Sequence, residues 1–138
     1  MLLVALAAAT IAVPFDAATR AALPPASATL TAHGATLSCQ GVWLRDLVVR
    51  AGAPSGTAVK GQALSMLVTA EAADGYRVVF SLGELEATLG KAPVLVADRC
   101  DDKPLAEGDG PVRLVAAGET RGARSLKQLA KLTVTGTP

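Results

Sequence analysis

Aromatic side chains are nearly missing from this sequence. Phe15, Trp43, Tyr76 and Phe80 are the only ones, 3% of 138 residues, so Val, Leu and Ala must build the core. Histidine occurs once, at His33, and cysteine twice, at Cys39 and Cys100. The cysteines stand far apart with no CxxC and no neighbouring histidine, which excludes a zinc site built from them. Neither sign of charge is in excess. Thirteen Lys and Arg face 12 Asp and Glu, for a net charge of +1. That balance excludes a generally basic nucleic-acid binder and an acidic disordered chain. No apolar run reaches the ~18–20 residues needed to cross a bilayer.

The length suits one domain over residues 1–138, with no second core. A chain this size buries about two thirds of its unfolded surface and needs no metal or disulfide to stay folded. The opening MLLVALAAATIAV (1–13) carries no charge. It reads as the remnant of a secretory signal, with Ala7, Ala8 and Ala9 as small residues for cleavage, or as a buried first strand. The positive n-region of a signal is missing, because no Lys or Arg precedes Arg20.

Local patterns predict the elements. Asp16 caps a short helix over AATRAAL, which Pro24-Pro25 stops. ATLTAH (28–33) and ATLSC (35–39) alternate around Gly34 as a hairpin, with His33 as a turn residue. Leu44, Leu47 and Val48 recur at helical spacing, so LRDLVVRAG is an amphipathic helix ending at Gly52. MLVTAEA (66–72) and YRVVFS (76–81) flank the turn pair Asp74-Gly75. Ser81-Leu82-Gly83-Glu84 has the form of a capping box opening a helix to about Leu89. PVLVAD (93–98), PVRLVAA (111–117) and KLTVTGT (131–137) read as strands, DDKPLAEGDG as a polar connection, and Arg124 to Ala130 as a helix. About seven strands with three or four short helices give an α+β fold.

Several segments, taken in order, resemble a known family. They are Gly41-Val42-Trp43-Leu44-Arg45-Asp46-Leu47, Ala73-Asp74-Gly75-Tyr76, Phe80-Ser81-Leu82-Gly83-Glu84-Leu85, Val94-Leu95-Val96-Ala97, Lys103-Pro104-Leu105, Gly110-Pro111-Val112-Arg113-Leu114-Val115, and Arg124-Ser125-Leu126-Lys127 running into Leu132-Thr133-Val134. The chain from Leu23-Pro24 onwards is similar to the molybdopterin-binding domain of the sulfite oxidase family, in its small stand-alone bacterial form. The resemblance implies an α+β fold of mixed β-sheets with a β-grasp-like portion. It also implies a molybdenum–pterin cofactor in the active members, its metal held by a cysteine thiolate upstream of the segment matching Gly41 to Leu44. Here Pro24 to Ser38 contains no cysteine. Thr29 stands near the shortest expected spacing, and its hydroxyl is a poor substitute for a soft thiolate. Cys39, two residues before Gly41, would have to be displaced to serve. The family's arginine-rich segment is missing too, since no Arg lies between Arg20 and Arg45.

After Pro111, Arg113, Arg121, Arg124, Lys127 and Lys131 stand against a single acid, Glu119. A helix over 124–131 would put Arg124, Lys127 and Lys131 on one face. Joined by Arg113, these cations would hold a phosphate or pyrophosphate. The resemblance implies that positions matching Arg124 and Lys127 lie near the pterin and its phosphate. Tyr76 would present its phenol at the rim of the cleft, or else sit half-buried beside its turn. Trp43 reads as core. Asp98, Asp101 and Asp102 lack the EF-hand pattern, and Gly108-Asp109-Gly110-Pro111 lacks the lysine of a phosphate loop. A Cys39–Cys100 disulfide would suit an exported chain.

The expectation is therefore a sulfite oxidase-like binding domain with a degenerate metal site, periplasmic or secreted. It would hold a small anionic ligand or a pterin on Arg113, Arg124, Lys127 and Tyr76. No bound cofactor is expected, and molybdopterin enters only by the resemblance. Neither nucleic acid nor a membrane span is expected. The alternatives are a genuine molybdenum-cofactor oxidoreductase subunit, completed by Cys39 or a partner chain, and an interaction domain that keeps only the scaffold.

Overall fold

The computed structural model describes residues 8–138. The front of the expected signal remnant, residues 1–7, lies outside the described residues. Strand β1 (Ala9–Ala12) follows, then helix α1 (Ala17–Ala21), β2 (Ala26–Ala32), β3 (Ala35–Trp43) and α2 (Leu44–Arg50). Next come β4 (Leu67–Ala72), β5 (Arg77–Ser81), α3 (Leu82–Leu85), β6 (Val94–Cys100), β7 (Lys103–Pro104), β8 (Arg113–Ala116) and β9 (Leu129–Gly136). This is an α+β fold in which strands dominate. One sheet has the order β1-β9-β4-β5; in the other, β2-β3-β6 continues into β7 and β8, which both pair with β6. Every strand pairing among the described residues is antiparallel. No described helix is long and apolar enough to cross a membrane.

The turns follow from the residues that occupy them. Asp74-Gly75 closes β4 onto β5: Gly75 has φ +90°, and the Asp74 carboxylate accepts the Tyr76 backbone N–H at 3.0 Å. His33 and Gly34 have φ of 51° and 77°, the two positive angles a tight hairpin turn requires. Helix α2 ends at Gly52 in a Schellman motif, with Gly52 N–H donating to Val49 O and Ala53 N–H to Val48 O. The capping box at α3 is complete. Glu84 N–H donates to Ser81 Oγ and Ser81 N–H to Glu84 Oε1, at 3.1 and 2.9 Å. The helix it opens stops at Leu85, well short of Leu89.

Three expectations need correction. The segment 124–131 is not a helix: a short 3-10 turn ends at Arg124 and β9 begins at Leu129. Leu126 forms an antiparallel bridge with Leu114, and Gln128 has φ +49°, so sheet pairing overrides the helical spacing of Leu126 and Leu129. Strand β1 is not buried. It lies at a sheet edge, and only Ile11 along it is partly covered. Asp16 does stand at the start of α1, but its carboxylate accepts the Thr19 hydroxyl instead of capping a backbone N–H.

The main core fills the space between the two sheets and α2, with Phe80, Leu44, Leu47, Met66, Leu114 and Leu132 essentially inaccessible. A second, smaller cluster of Leu30, Cys39, Leu95, Ala97 and Val115 covers the other face of the five-stranded sheet. Strands β6 and β8 are therefore buried on both faces, with alternate residues entering the two clusters. Between β3 and β6 the register slips once. Gly41 opposes Ala97 and Gln40 opposes Arg99, so Asp98 is an extra residue with no partner across the ladder. Gly41 is obligatory here, because a Cβ would lie 1.9 Å from Val96 O.

Beyond the bulge Cys39 opposes Cys100, and the two form a disulfide. It closes a sequence separation of 61 residues. Thiol titration of the unreduced, denatured protein should find no free cysteine. Cys39→Ser with Cys100→Ser should lower unfolding stability by ~2–4 kcal/mol, read from urea titrations.

Candidate functional site

The expected cations do not share one cleft. Arg124 sits at the end of the 3-10 turn, on a cavity of about 250 Å³ with Phe80, Glu84 and Glu119. Its Nε and one Nη bind the two Glu119 oxygens at 2.7 and 3.0 Å. The other Nη donates to Val79 O at 2.7 Å and Glu84 Oε1 at 3.0 Å, and the last N–H reaches Glu84 Oε2 at 3.4 Å. A guanidinium has five N–H donors, and this geometry uses all of them. The group also stacks on the Phe80 ring, 4.2 Å from its centroid. Arg124 is left with no donor for a ligand. Its proton is held more tightly than that of a free arginine, chiefly by the Glu119 and then the Glu84 hydrogen bonds. Glu119 is pulled below its usual range by the same contact.

Lys127 lies on another cavity of about 360 Å³, shared with Tyr76, Asp74, Gly108, Ser125 and Gln128. Its ammonium pairs with Asp109 at 2.9 Å and is more than half exposed. Tyr76 is half exposed, and its hydroxyl donates to Ala123 O. The structure thus brings Tyr76 and Lys127 to one concave surface and leaves Arg124 outside it.

Arg113 is different again. It is only 6% exposed. Leu114 and Ala116 enter the main core, so alternation along β8 puts Arg113 on the side of Val115. There it opposes Ala97 across the β6–β8 ladder. Among the described residues Arg113 makes no hydrogen bond and no ion pair within 4.0 Å, and its Nε is buried without a partner. Burial weakens its hold on the proton, and Asp109 offsets part of that effect. Asp109 is therefore the one carboxylate to which both Arg113 and Lys127 are drawn. Its role was invisible in the sequence, where it read only as part of a Gly-Asp-Gly-Pro turn.

Both sulfurs are committed to each other in the disulfide, and Cys39 is fully buried. No group of three or more His, Cys, Asp or Glu among the described residues is arranged to hold a metal ion. Trp43 is only partly buried: it packs against the second core cluster, carries Arg45 stacked 4.8 Å from its ring centroid and lines a groove, so it is not the core residue its scarcity suggested.

The family model for the oxidoreductase molybdopterin binding domain matches residues 8–138. No curated protein matches the chain.

Arg124→Lys should fail to rescue Arg124→Ala. An ammonium offers three donors where five acceptor contacts wait. Either change should cost roughly 1–3 kcal/mol in urea unfolding, the lower end reflecting partial exposure. The lowered carboxyls of Glu119 and Glu86 also fix a pH dependence. Glu86 is held down by the Thr88 hydroxyl and by the Thr88 and Gly56 backbone N–H groups. In both cases the unfolded chain binds protons more readily than the native one. Their stabilisation is complete above the ordinary value of 4.5 and is lost as the pH falls through the lowered native values. Urea midpoints measured from pH 6 downwards should begin to drop at about pH 4.5, and Glu119→Gln should flatten part of that drop.

Proposed function

The chain belongs to the oxidoreductase molybdopterin-binding domain family, and from that membership we propose that it acts as a single small binding domain for a phosphate-bearing ligand, without molybdenum chemistry of its own. The observation that carries this reading is Arg113. Arg113 is a buried residue whose Nε has no partner among the described residues, and burying a cation costs stability unless something anionic meets it. Lys127 stands on the same carboxylate and can swing from Asp109 to a ligand, because its ammonium is largely exposed. Tyr76 forms the rim of that surface. Arg124 is withdrawn from the contact set and given the task of fixing the loop that carries Lys127.

The cofactor of the family fits this chain in one part and not in the other. A pterin phosphate would suit Arg113 and Lys127, which supply a fork and a point charge. The metal does not fit. A soft thiolate is the ligand the family resemblance calls for, and both thiols here are consumed in one disulfide. Export to the periplasm or beyond is part of the same proposal, supported by a disulfide of the kind found chiefly in oxidising compartments.

Calorimetry with inorganic pyrophosphate as the probe tests the reading. Wild-type protein should bind, and Arg113→Met with Lys127→Met should not. Arg113→Met alone should leave the fold intact, with little change in the urea midpoint, since the side chain it replaces makes no hydrogen bond or ion pair among the described residues. Equal binding by wild type and double variant would refute the site. Stoichiometric molybdenum in protein purified from its native host, with a thiolate-to-metal absorbance, would refute the degenerate metal site.

A further inference from the structure

A larger cavity, about 880 Å³, opens elsewhere, between α1, the start of β2 and the bulged pairing of β3 with β6. Arg20, Ser27, Gln40, Gly41, Trp43 and Asp98 contribute to its wall. None of the cations assigned to the phosphate site reaches it. We propose that this groove binds a neutral, hydroxyl-rich small molecule of the size of one or two sugar rings.

Three features select that chemistry. The first is the bulge. Asp98 is the extra residue in the β3–β6 ladder, so it is released from strand alternation and its side chain meets Arg20 in the groove. The pair makes the groove electrically neutral. It is also only partly spent. Arg20 uses one N–H on Phe15 O and one on Asp98 Oδ2, while Asp98 keeps its other oxygen free and is 41% exposed. Three guanidinium donors and a carboxylate acceptor thus stand side by side without partners among the described residues.

The second feature is Gln40. Its amide nitrogen donates to Ser38 O at 3.1 Å, which fixes the orientation of the amide. Gln40 Oε1 is then buried with no partner. It accepts a hydrogen bond from any donor that enters the groove, a ligand hydroxyl among them.

The third is elimination by charge. A carboxylate has no O–H to donate to Gln40 Oε1, and both a carboxylate and a phosphate would face the Asp98 charge. A cation would face Arg20. A hydroxyl both accepts from Arg20 and donates to Asp98 or Gln40, and Ser27 can do either. Trp43 adds an apolar wall against which the C–H face of a ring can lie. The volume lies within the ordinary range for small-molecule sites.

The test uses amide and indole NMR shifts of the full chain, titrated separately with glucose, galactose, mannose, N-acetylglucosamine and myo-inositol. At least one should give saturable shifts confined to Ala17–Ala21, Ser27, the Gln40 side-chain amide and the Trp43 indole. Gln40→Met should weaken that binding about tenfold, and Ser27→Ala serves as the second variant if Gln40→Met does not fold. Arg113→Met with Lys127→Met should leave it unchanged, so the result does not depend on the phosphate site. Saturable shifts with none of the five probes, shifts mapping elsewhere, or equal binding by a folded Gln40→Met would each overturn the proposal. So would tighter binding of pyrophosphate than of any sugar in this groove.

Discussion

Five hydrogen bonds from one guanidinium hold together parts of the chain that nothing else joins so directly. Arg124 ties the outer edge of β5 through Val79 O, the start of α3 through Glu84, and the loop after β8 through Glu119. Glu84 is at the same moment the reciprocal partner in the Ser81 capping box, so its carboxylate serves a helix end and an ion pair together. The loop that Arg124 pins carries Ala123, which receives the Tyr76 hydroxyl, and runs directly into Ser125 and Lys127. The polar surface around Lys127 thus inherits its position from a residue that never enters it. Arg124 also occupies Val79 O on β5, an edge strand that would otherwise offer that acceptor to a neighbouring chain.

What was legible in the sequence is what is decided within four residues. The Asp74-Gly75 turn, the Ser81–Glu84 box, the helix stop at Gly52 and the His33-Gly34 hairpin each depend on side chains and backbone angles in immediate contact. All four stand where their residues predicted them. The segment after Arg124 was not legible. Leu126 and Leu129 are both buried, as a helix would have required, but Leu126 bridges to Leu114 and Leu129 opens a strand alongside Ala72. A spacing of three apolar positions cannot distinguish one helical turn from two extended anchors with a left-handed residue, Gln128, between them.

The candidate site divides in the same way. Arg113, Lys127 and Tyr76 were recognisable as residue types, but their partners were not. Whether a cation is spent or free depends on acids brought in by the fold. Glu84 reaches Arg124 across 40 positions, and Asp109 reaches Lys127 from the far side of β8 and the loop that follows it. Arg113 is buried opposite Ala97 on the neighbouring strand, and no feature local to Arg113 announces that neighbour. The pairing of Arg20 with Asp98 spans 78 positions and exists only because the ladder admits one extra residue.

That extra residue also decides which sulfurs can meet. Pairing β3 and β6 without it would set Cys39 against Arg99 and turn Cys100 to the opposite face, beside Ser38. No bridge could close. The disulfide can therefore close only in the bulged alignment, and once closed it fixes that alignment covalently.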